Sequence, residues 1–254
     1  MERHVSSIED VFALMDALFA EEADRWTAKG AGWWDRFYED RDRGVPFFRD
    51  APDESLVAWH EAGLLPAGGR ALDLGCGPGR IAIWLAQLGF TVDAVDLSPT
   101  ALAWGRERAE VAGVDVRFVE ASIFELGPDF ADYDLVYDSG CFHHLPPHRR
   151  VSYRWLLERA LKPGGAFGLV CFAWDAMGAQ TPDADYYREG RLSGGVAYRD
   201  ADLRRLFDWL AEIELRRMEP HGAESPRPCQ HSMTFTASPP VLVSLYFVDM
   251  SRPV

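Results

Sequence analysis

The sequence has few cysteines and a shortage of positive charge. Its four cysteines, Cys76, Cys141, Cys171 and Cys229, are widely spaced and form no CxxC pair, which argues against a zinc ribbon and against a dense disulfide framework. Lys and Arg number 26 against 40 Asp and Glu, giving a formal net charge of −14. Without a basic face, the chain is not expected to bind nucleic acid. A small or cationic substrate suits this charge better than a polyanion does.

The sequence also lacks the segments that direct a protein to or across a membrane. No run of about 18 apolar residues is present to span a bilayer. The N-terminus, MERHVSSIED, lacks the basic and then apolar order of a signal peptide. With its cysteines read as reduced thiols, we expect a cytoplasmic protein that has no membrane partner. A chain of 254 residues with 48% hydrophobic content fits one large α/β domain.

The middle of the chain alternates strand and helix patterns with short connections. This alternation predicts a doubly wound parallel sheet. Residues 212–218 predict a further strand, and either 231–237 or 241–248 is a closing antiparallel strand, a choice that the pattern leaves open. The other expected strands are 70–74, 90–95, 115–120, 134–138 and 166–172, and the expected helices are 53–63, 79–88, 98–113, 148–161 and 200–211.

Two segments precede this alternation. Residues 8–19 have apolar side chains at helical spacing and predict an amphipathic helix that packs on the core, covers a pocket or meets a second chain, as in a dimer. An aromatic segment follows over residues 26–50, and it is too aromatic for a solvated linker. Two interpretations stay open for it, plain core or a lid over a bound cation.

The stretch ALDLGCGPGR, residues 71–80, places three glycines directly after the first strand of the alternation. Such a turn lies at the carboxyl edge of a parallel sheet, where glycine lets backbone N–H groups approach a ligand. A dinucleotide site requires the spacing G-x-G-x-x-G. Gly75 and Gly77 fit that spacing, but Arg80 occupies the third position. The dinucleotide match is therefore poor.

This glycine motif resembles that of the class I methyltransferases that use S-adenosylmethionine (SAM). An acid that ends the next strand is the second feature of that family, and VDAVDLS supplies Asp96 at the required distance. LKPGG, residues 161–165, is also frequent in the family. The aromatic segment is loosely similar to that of thiopurine and halide/thiol methyltransferases. The resemblance covers about residues 50–218 and implies a Rossmann-like, mostly parallel seven-stranded sheet with an N-terminal helical extension.

The resemblance implies a cofactor site for SAM, with S-adenosylhomocysteine (SAH) as product. The glycine-loop backbone would face the cofactor, Asp73 and Asp138 would lie by its methionine part, and Asp96 would hold the ribose. Ser122 stands where the family usually has an acid near the adenine. The full set of expected cofactor-binding residues is Asp73, Gly75, Cys76, Gly77, Arg80, Asp96, Leu97, Ser98, Ser122, Ile123 and Asp138.

The loop after the fourth strand, YDSGCFHHLPPHRR, carries further candidates for chemistry. His143 is either a general base or a residue that holds the loop, and the second interpretation is favoured. A metal site with His144 and His148 is not expected, because no carboxylate or cysteine cluster completes it. Cys141 is a reactive thiol or, more commonly for such a position, a packing residue.

We expect a single domain that transfers a methyl group from SAM to O, N or S of a small molecule. Its parts are a lid segment (1–52), a SAM-binding core (53–173), a substrate cap loop (174–199) and the end of the sheet (200–254). An NAD-dependent oxidoreductase, a non-catalytic SAM-binding protein and a protein methyltransferase are the alternatives. The residues expected to meet the methyl acceptor are Trp34, Tyr38, Phe47 and Trp174.

Overall fold

The computed structural model describes residues 5–192, 194–219 and 242–248. A seven-stranded sheet with the strand order β3-β2-β1-β4-β5-β7-β6 forms its centre. The strands are β1 (Gly69–Leu74), β2 (Phe90–Asp96), β3 (Arg117–Glu120), β4 (Tyr133–Ser139), β5 (Leu161–Phe172), β6 (Ala211–Arg217) and β7 (Leu242–Val248). The helices are α1 (Ile8–Asp16), α2 (Ala31–Glu39), α3 (Glu54–Glu61), α4 (Arg80–Gln87), α5 (Pro99–Ala112), α6 (Arg149–Ala160), α7 (Asp183–Glu189) and α8 (Asp200–Leu206).

The strand pairing confirms the predicted doubly wound, mostly parallel sheet. Strands β1 to β5 pair in parallel, whereas β7 lies antiparallel between β5 and β6. The strand order reverses between β1 and β4, and the carboxyl ends of strands at such a point form the usual ligand crevice of the fold. Residues 242–248 are thus a closing strand, while the alternative stretch 231–237 lies outside the described residues.

Successive residues of the central strands pack into cores on opposite faces of the sheet. On β4, Val136 enters one core, and Leu135 and Tyr137 enter the other. All three are fully buried. Because both faces are covered, the side chains at these three positions are hydrophobic or aromatic on either side of the sheet, as expected for a central parallel strand.

The N-terminal aromatic segment packs on helix α5 and so lies over one end of the sheet. Tyr38 and Phe48 are buried there with Ala101. Trp34, Phe37 and Phe47 are partly buried against the same cluster. The segment is therefore both packed and positioned beside the carboxyl ends of the strands, so the core and lid interpretations are compatible.

The ends of α5 match the sequence pattern. The Ser98 side chain accepts a hydrogen bond from Ala101 N, Pro99 opens the first turn, and Gly113 ends the helix in the left-handed conformation. Each residue type is the one preferred at its position. Local chemistry therefore fixes both ends of this helix.

Three expected elements differ from the structure. Helix α1 ends at Asp16 rather than residue 19, because the chain turns there and buries Phe19. The predicted turn at 162–165 is an insertion within β5, since Leu161 pairs with Tyr133 and Ala166 already pairs with Leu135. The predicted helix 200–211 is shortened to α8.

The expected cap loop 174–199 contains a short helix, α7. This helix follows Pro182, and Gly190 ends it with a φ of 63°. Tyr186 is the buried residue of the helix, so its seven residues show too little periodicity to be recognised from the sequence.

Candidate functional site

The glycine turn after β1 folds so tightly that no side chain fits at Gly75 or Gly77. Gly75 and Gly77 have φ values of 69° and 51°, in the left-handed region. A β-carbon built on Gly75 would lie 2.7 Å from Cys141 Cβ, and one on Gly77 would lie 2.8 Å from the Tyr38 hydroxyl oxygen. Backbone conformation and space therefore both require glycine here. The turn presents bare backbone to the space beneath the aromatic segment.

Asp96, the last residue of β2, organises this turn. Its carboxylate accepts hydrogen bonds from Gly77 N at 2.8 Å and from Ser98 N at 2.9 Å. Burial raises the pKa of Asp96 to about 6, although these backbone donors act in the opposite direction. At neutral pH the side chain is therefore mostly ionised. It lines the cavity described below and can accept further hydrogen bonds from a ligand.

Asp73 is held differently, in the interior at the end of β1. Burial raises its pKa to about 8, while attraction to Arg80 and a hydrogen bond from Ala82 N at 3.1 Å lower it less. At pH 7 Asp73 is therefore mostly protonated in the folded protein. Its carboxyl group can donate as well as accept a hydrogen bond at the methionine end of the expected site.

This raised pKa predicts how stability changes with pH. The unfolded chain releases the Asp73 proton near pH 4, but the folded chain keeps it until about pH 8. The free energy of unfolding contributed by this group therefore falls as pH rises through that window. In Asp73→Asn the decrease between pH 5 and pH 9, measured by urea denaturation, should be smaller by at least about 1 kcal/mol. Equal decreases in wild type, Asp73→Asn and the exposed control Asp115→Asn would contradict this.

A cavity of about 490 Å³ lies between the glycine turn and the aromatic segment. Its volume falls within the range of small-molecule sites, and like most of them it is largely apolar. The structure brings twelve of the predicted residues into its wall: Trp34, Tyr38, Phe47, Asp73, Gly75, Cys76, Gly77, Arg80, Asp96, Leu97, Ile123 and His143.

Asp138 does not line this cavity, which corrects its expected contact with the methionine part of a cofactor. Its carboxylate accepts hydrogen bonds from the N–H groups of Gly140, Cys141 and Phe142 and from the Tyr153 hydroxyl at 2.8 Å. The side chain is fully buried. Asp138 therefore stabilises the loop after β4 through buried hydrogen bonds on the side of the loop that faces away from the cavity.

Three further predicted residues also lie outside the cavity wall. The Ser98 hydroxyl donates to Asp35 at 2.6 Å as it caps α5, and the Ser122 hydroxyl donates to the Trp26 carbonyl at 3.2 Å. Both serines thereby hold the N-terminal segment onto the sheet. Trp174 instead packs under the guanidinium of Arg199, 3.8 Å from the ring centroid.

His143 and His144 both line the cavity as neutral rings. Burial lowers the pKa of His143 well below its usual value and that of His144 to about 4. The His143 ring stacks on Phe172 with centroids 3.6 Å apart, and its Nδ1 finds no hydrogen-bond partner within the described residues. His143 therefore lines the cavity as a neutral ring whose Nδ1 is buried without a hydrogen-bond partner in the described structure.

His148 lies apart from this pair. Its Nε2 is 2.8 Å from Asp16 Oδ1, and its Nδ1 is 3.0 Å from the Tyr187 hydroxyl, so the ring ties α1 to α7. Among residues 5–192, 194–219 and 242–248, no three His, Cys, Asp or Glu side chains are grouped to hold a metal ion.

Cys141 packs where the turn is tightest. Its sulfur would lie 3.2 Å from a β-carbon on Gly75. Burial and the nearby carboxylate of Asp138 raise the pKa of the Cys141 thiol. The protonated thiol favours the packing interpretation over a reactive one.

Sequence reasoning missed a buried polar network at one end of the cavity. Arg80 donates to Asp53 at 2.6 Å, to Ser139 Oγ at 2.7 Å and to the Ala51 carbonyl at 3.0 Å. Ser139 and Tyr137 donate to the second oxygen of Asp53. These residues come from α4, β4 and the start of α3, so no local spacing in the sequence could have linked them.

Three residues that the sequence analysis did not place at the site also line the cavity, namely His144, Phe172 and Met177.

The comparisons with known proteins agree with this geometry. Residues 71–165 match the family model described as a methyltransferase domain. A Synechocystis protein described as an uncharacterized methyltransferase is 37% identical over 127 residues, which cover 50% of this chain and 55% of that protein. The matched range contains the glycine turn and Asp96 and is similar to a methyltransferase domain.

Solved structures show the same fold. One match comes from a structural study of the conversion of a disulfide bond into a thioacetal group during echinomycin biosynthesis. Its TM-score is 0.63 and its identity 25%, and the match covers 87% of this chain and 93% of that one. The 1,6-didemethyltoxoflavin-N1-methyltransferase of Burkholderia thailandensis, with SAH bound, matches with a TM-score of 0.59 and 21% identity, covering 99% and 94% of the two chains.

The match to curated relatives is partial. The chain covers 55%, 66%, 59% and 51% of the length of four of these relatives. No helix among the described residues is long and apolar enough to cross a membrane.

Proposed function

We propose that this protein transfers a methyl group from SAM to a nucleophilic O, N or S atom of a small molecule. The proposal rests on a single cavity that is lined both by the glycine turn and by aromatic side chains. The glycine turn and Asp96 form one wall, and the aromatic side chains Trp34, Tyr38 and Phe47 form another. A site of this kind binds a nucleoside cofactor and an apolar acceptor side by side.

The residues present fit SAM. Asp96 retains acceptor capacity for ribose hydroxyls, and the cradle at Gly75 and Gly77 would be filled by any β-carbon. Leu97 and Ile123 supply apolar surface for the adenine. At the methionine end, Asp73 and Arg80 offer a carboxyl group and a guanidinium group to the amino and carboxylate groups. We propose these roles for the seven residues.

When bound, SAM supplies an electrophilic methyl group whose leaving group is a neutral thioether. The chain's own contribution is to position the two reactants and to exclude water. The aromatic faces of Trp34 and Tyr38 favour a neighbouring cation. The neutral rings of His143 and His144 place no competing positive charge in the cavity.

We propose that His143 hydrogen-bonds the acceptor and takes a proton only from an acidic one. Its pKa is lowered by burial, so it is a weak base. The two solved structures named above, by their descriptions, concern nitrogen and sulfur chemistry. The nucleophile of the present protein therefore stays a choice among O, N and S.

We also propose cytoplasmic action on a free small molecule. Among the residues that the structure describes, Cys76, Cys141 and Cys171 are unpaired thiols, which fits a reducing compartment. Ile8 and Leu14 of α1 remain exposed, so pairing with a second chain through this helix stays open.

The experiment that tests the proposal uses SAM labelled in its methyl group. The purified protein is incubated with it and with mixed phenols, thiols, amines and N-heterocycles, and label is counted in extracted products. Label in a small molecule, with SAH formed in equal amount, supports the proposal. SAH binding without label transfer to any class would favour the non-catalytic SAM-binding alternative, and label on added protein would favour a protein methyltransferase.

A further inference from the structure

Arg25 is a half-buried cation in the cavity wall, at the point where the N-terminal segment enters the site. Its guanidinium lies over Trp33, 3.9 Å from the ring centroid. One terminal nitrogen donates to the backbone carbonyls of Glu22 at 2.6 Å and Asp24 at 2.8 Å. These contacts fix the group while leaving its other N–H donors for a partner.

The carboxylate of Asp24 attracts the Arg25 guanidinium but accepts no hydrogen bond from it in the described structure. The Asp24 side chain turns the other way and accepts hydrogen bonds from Trp26 N at 3.0 Å, from Thr27 N at 2.9 Å and from the Thr27 hydroxyl. Arg80, the other arginine of the cavity wall, is by contrast already ion-paired with Asp53. Arg25 is therefore the cavity arginine whose hydrogen bonds, in the described structure, go to neutral carbonyls.

The surroundings of Arg25 place it on the acceptor side of the cavity. Its carbonyl accepts a hydrogen bond from Trp34 Nε1 at 3.1 Å, and the Trp34 ring meets His144 edge-on with centroids 5.0 Å apart. The charge of Arg25 also contributes to the lowered pKa of His144. His144 follows β4, whereas Asp96, the expected ribose contact, ends β2. The guanidinium thus lies beside the aromatic side chains of the cavity wall rather than beside Asp96.

We propose that the methyl acceptor is an aromatic molecule bearing an anionic group, such as a carboxylate, which Arg25 binds while the ring packs on the neighbouring tryptophans. This inference rests on the proposed function. A guanidinium held over a ring, with one terminal nitrogen bonded to backbone carbonyls, still offers paired donors that match a carboxylate. The acidic chain otherwise repels anions, so a fixed local cation selects among acceptors that share an aromatic ring.

The test compares two probes of nearly equal shape, 1-hydroxy-2-naphthoate, which is anionic, and 1-hydroxy-2-naphthamide, which is neutral and carries an NH₂ donor in place of one acceptor oxygen. Each is titrated into the full-length protein with and without saturating SAH, and binding is followed by quenching of tryptophan fluorescence. The variants are Arg25→Gln, which removes the charge, and Arg25→Lys, which keeps it. Arg205→Gln, at an exposed arginine on α8, is the charge-matched control. Melting temperature and SAH affinity are measured for every variant.

We expect wild type to bind the naphthoate at least about tenfold more tightly than the naphthamide, as for a charge-assisted hydrogen bond. Arg25→Gln should lose this preference, Arg25→Lys should keep most of it, and SAH affinity should stay unchanged in both. Equal binding of the probes to wild type, or a preference that survives in Arg25→Gln, would overturn the proposal. Loss of SAH affinity in Arg25→Gln would instead assign Arg25 to the cofactor and also overturn it. Failure of wild type to bind SAH would contradict the proposed function, while the titrations without SAH would still decide the role of Arg25.

Discussion

Replacement of Asp96 by alanine is expected to weaken SAH binding by at least about 100-fold, because two charge-assisted hydrogen bonds of about 1.5 kcal/mol or more each are lost. The carboxylate is positioned by Gly77 N and Ser98 N and lines the cavity. Its removal takes away the ribose acceptor and also releases the glycine turn. Isothermal titration calorimetry with SAH measures the change.

The control for this variant is Asp115→Ala, which removes one exposed carboxylate from the loop that precedes β3. It changes the net charge equally and should leave SAH affinity within about twofold, as for a surface change away from the site. Equal affinity in Asp96→Ala and wild type would show that the ribose is held elsewhere. Equal weakening in both variants would show that net charge, and not this contact, is responsible.

Replacement of Gly75 by alanine is expected to lower the free energy of unfolding by about 3 kcal/mol, combining left-handed strain with overpacking. The residue has a φ of 69°, and the new methyl group would lie 2.7 Å from Cys141 Cβ. SAH binding should be lost as well, because the turn can relieve the clash only by moving. Urea denaturation and calorimetry measure the two effects.

Gly113→Ala separates strain from crowding. Gly113 has a φ of 68°, close to that of Gly75, but a β-carbon there would meet nothing within 4 Å. This variant should lose only about 1 kcal/mol, the cost of the backbone conformation, and should bind SAH normally. If Gly75→Ala were no more destabilised than Gly113→Ala, the close packing of Cys141 on the turn would be contradicted.

The parts of the site that the sequence predicted are those set by local chemistry. Gly75 and Gly77 follow an apolar strand, and their positive φ values require the residue that stands there. Asp96 ends the next strand, and parallel strands bring their carboxyl ends to one edge. The capping of α5 by Ser98 follows from the same short-range rules. The sheet could be predicted because alternating strands and helices admit few arrangements.

The parts that were missed depend on contacts between distant segments. Asp138 looked like a ligand-facing acid, but Tyr153 and the following backbone take up its oxygens. Arg80 lines the cavity as expected, but nothing in the sequence indicated its ion pair with Asp53, which lies 27 positions away. Helix α7 was missed because its seven residues follow no clear apolar period.

The cavity over the glycine turn is expected to take SAM and not a dinucleotide. Calorimetric titration of the wild-type protein with SAM, SAH and NADH tests this expectation. The structure predicts that SAM and SAH each bind with one molecule per chain and that NADH gives no heat of binding. Binding of NADH without binding of SAM or SAH would contradict this expectation and assign the turn to dinucleotide chemistry.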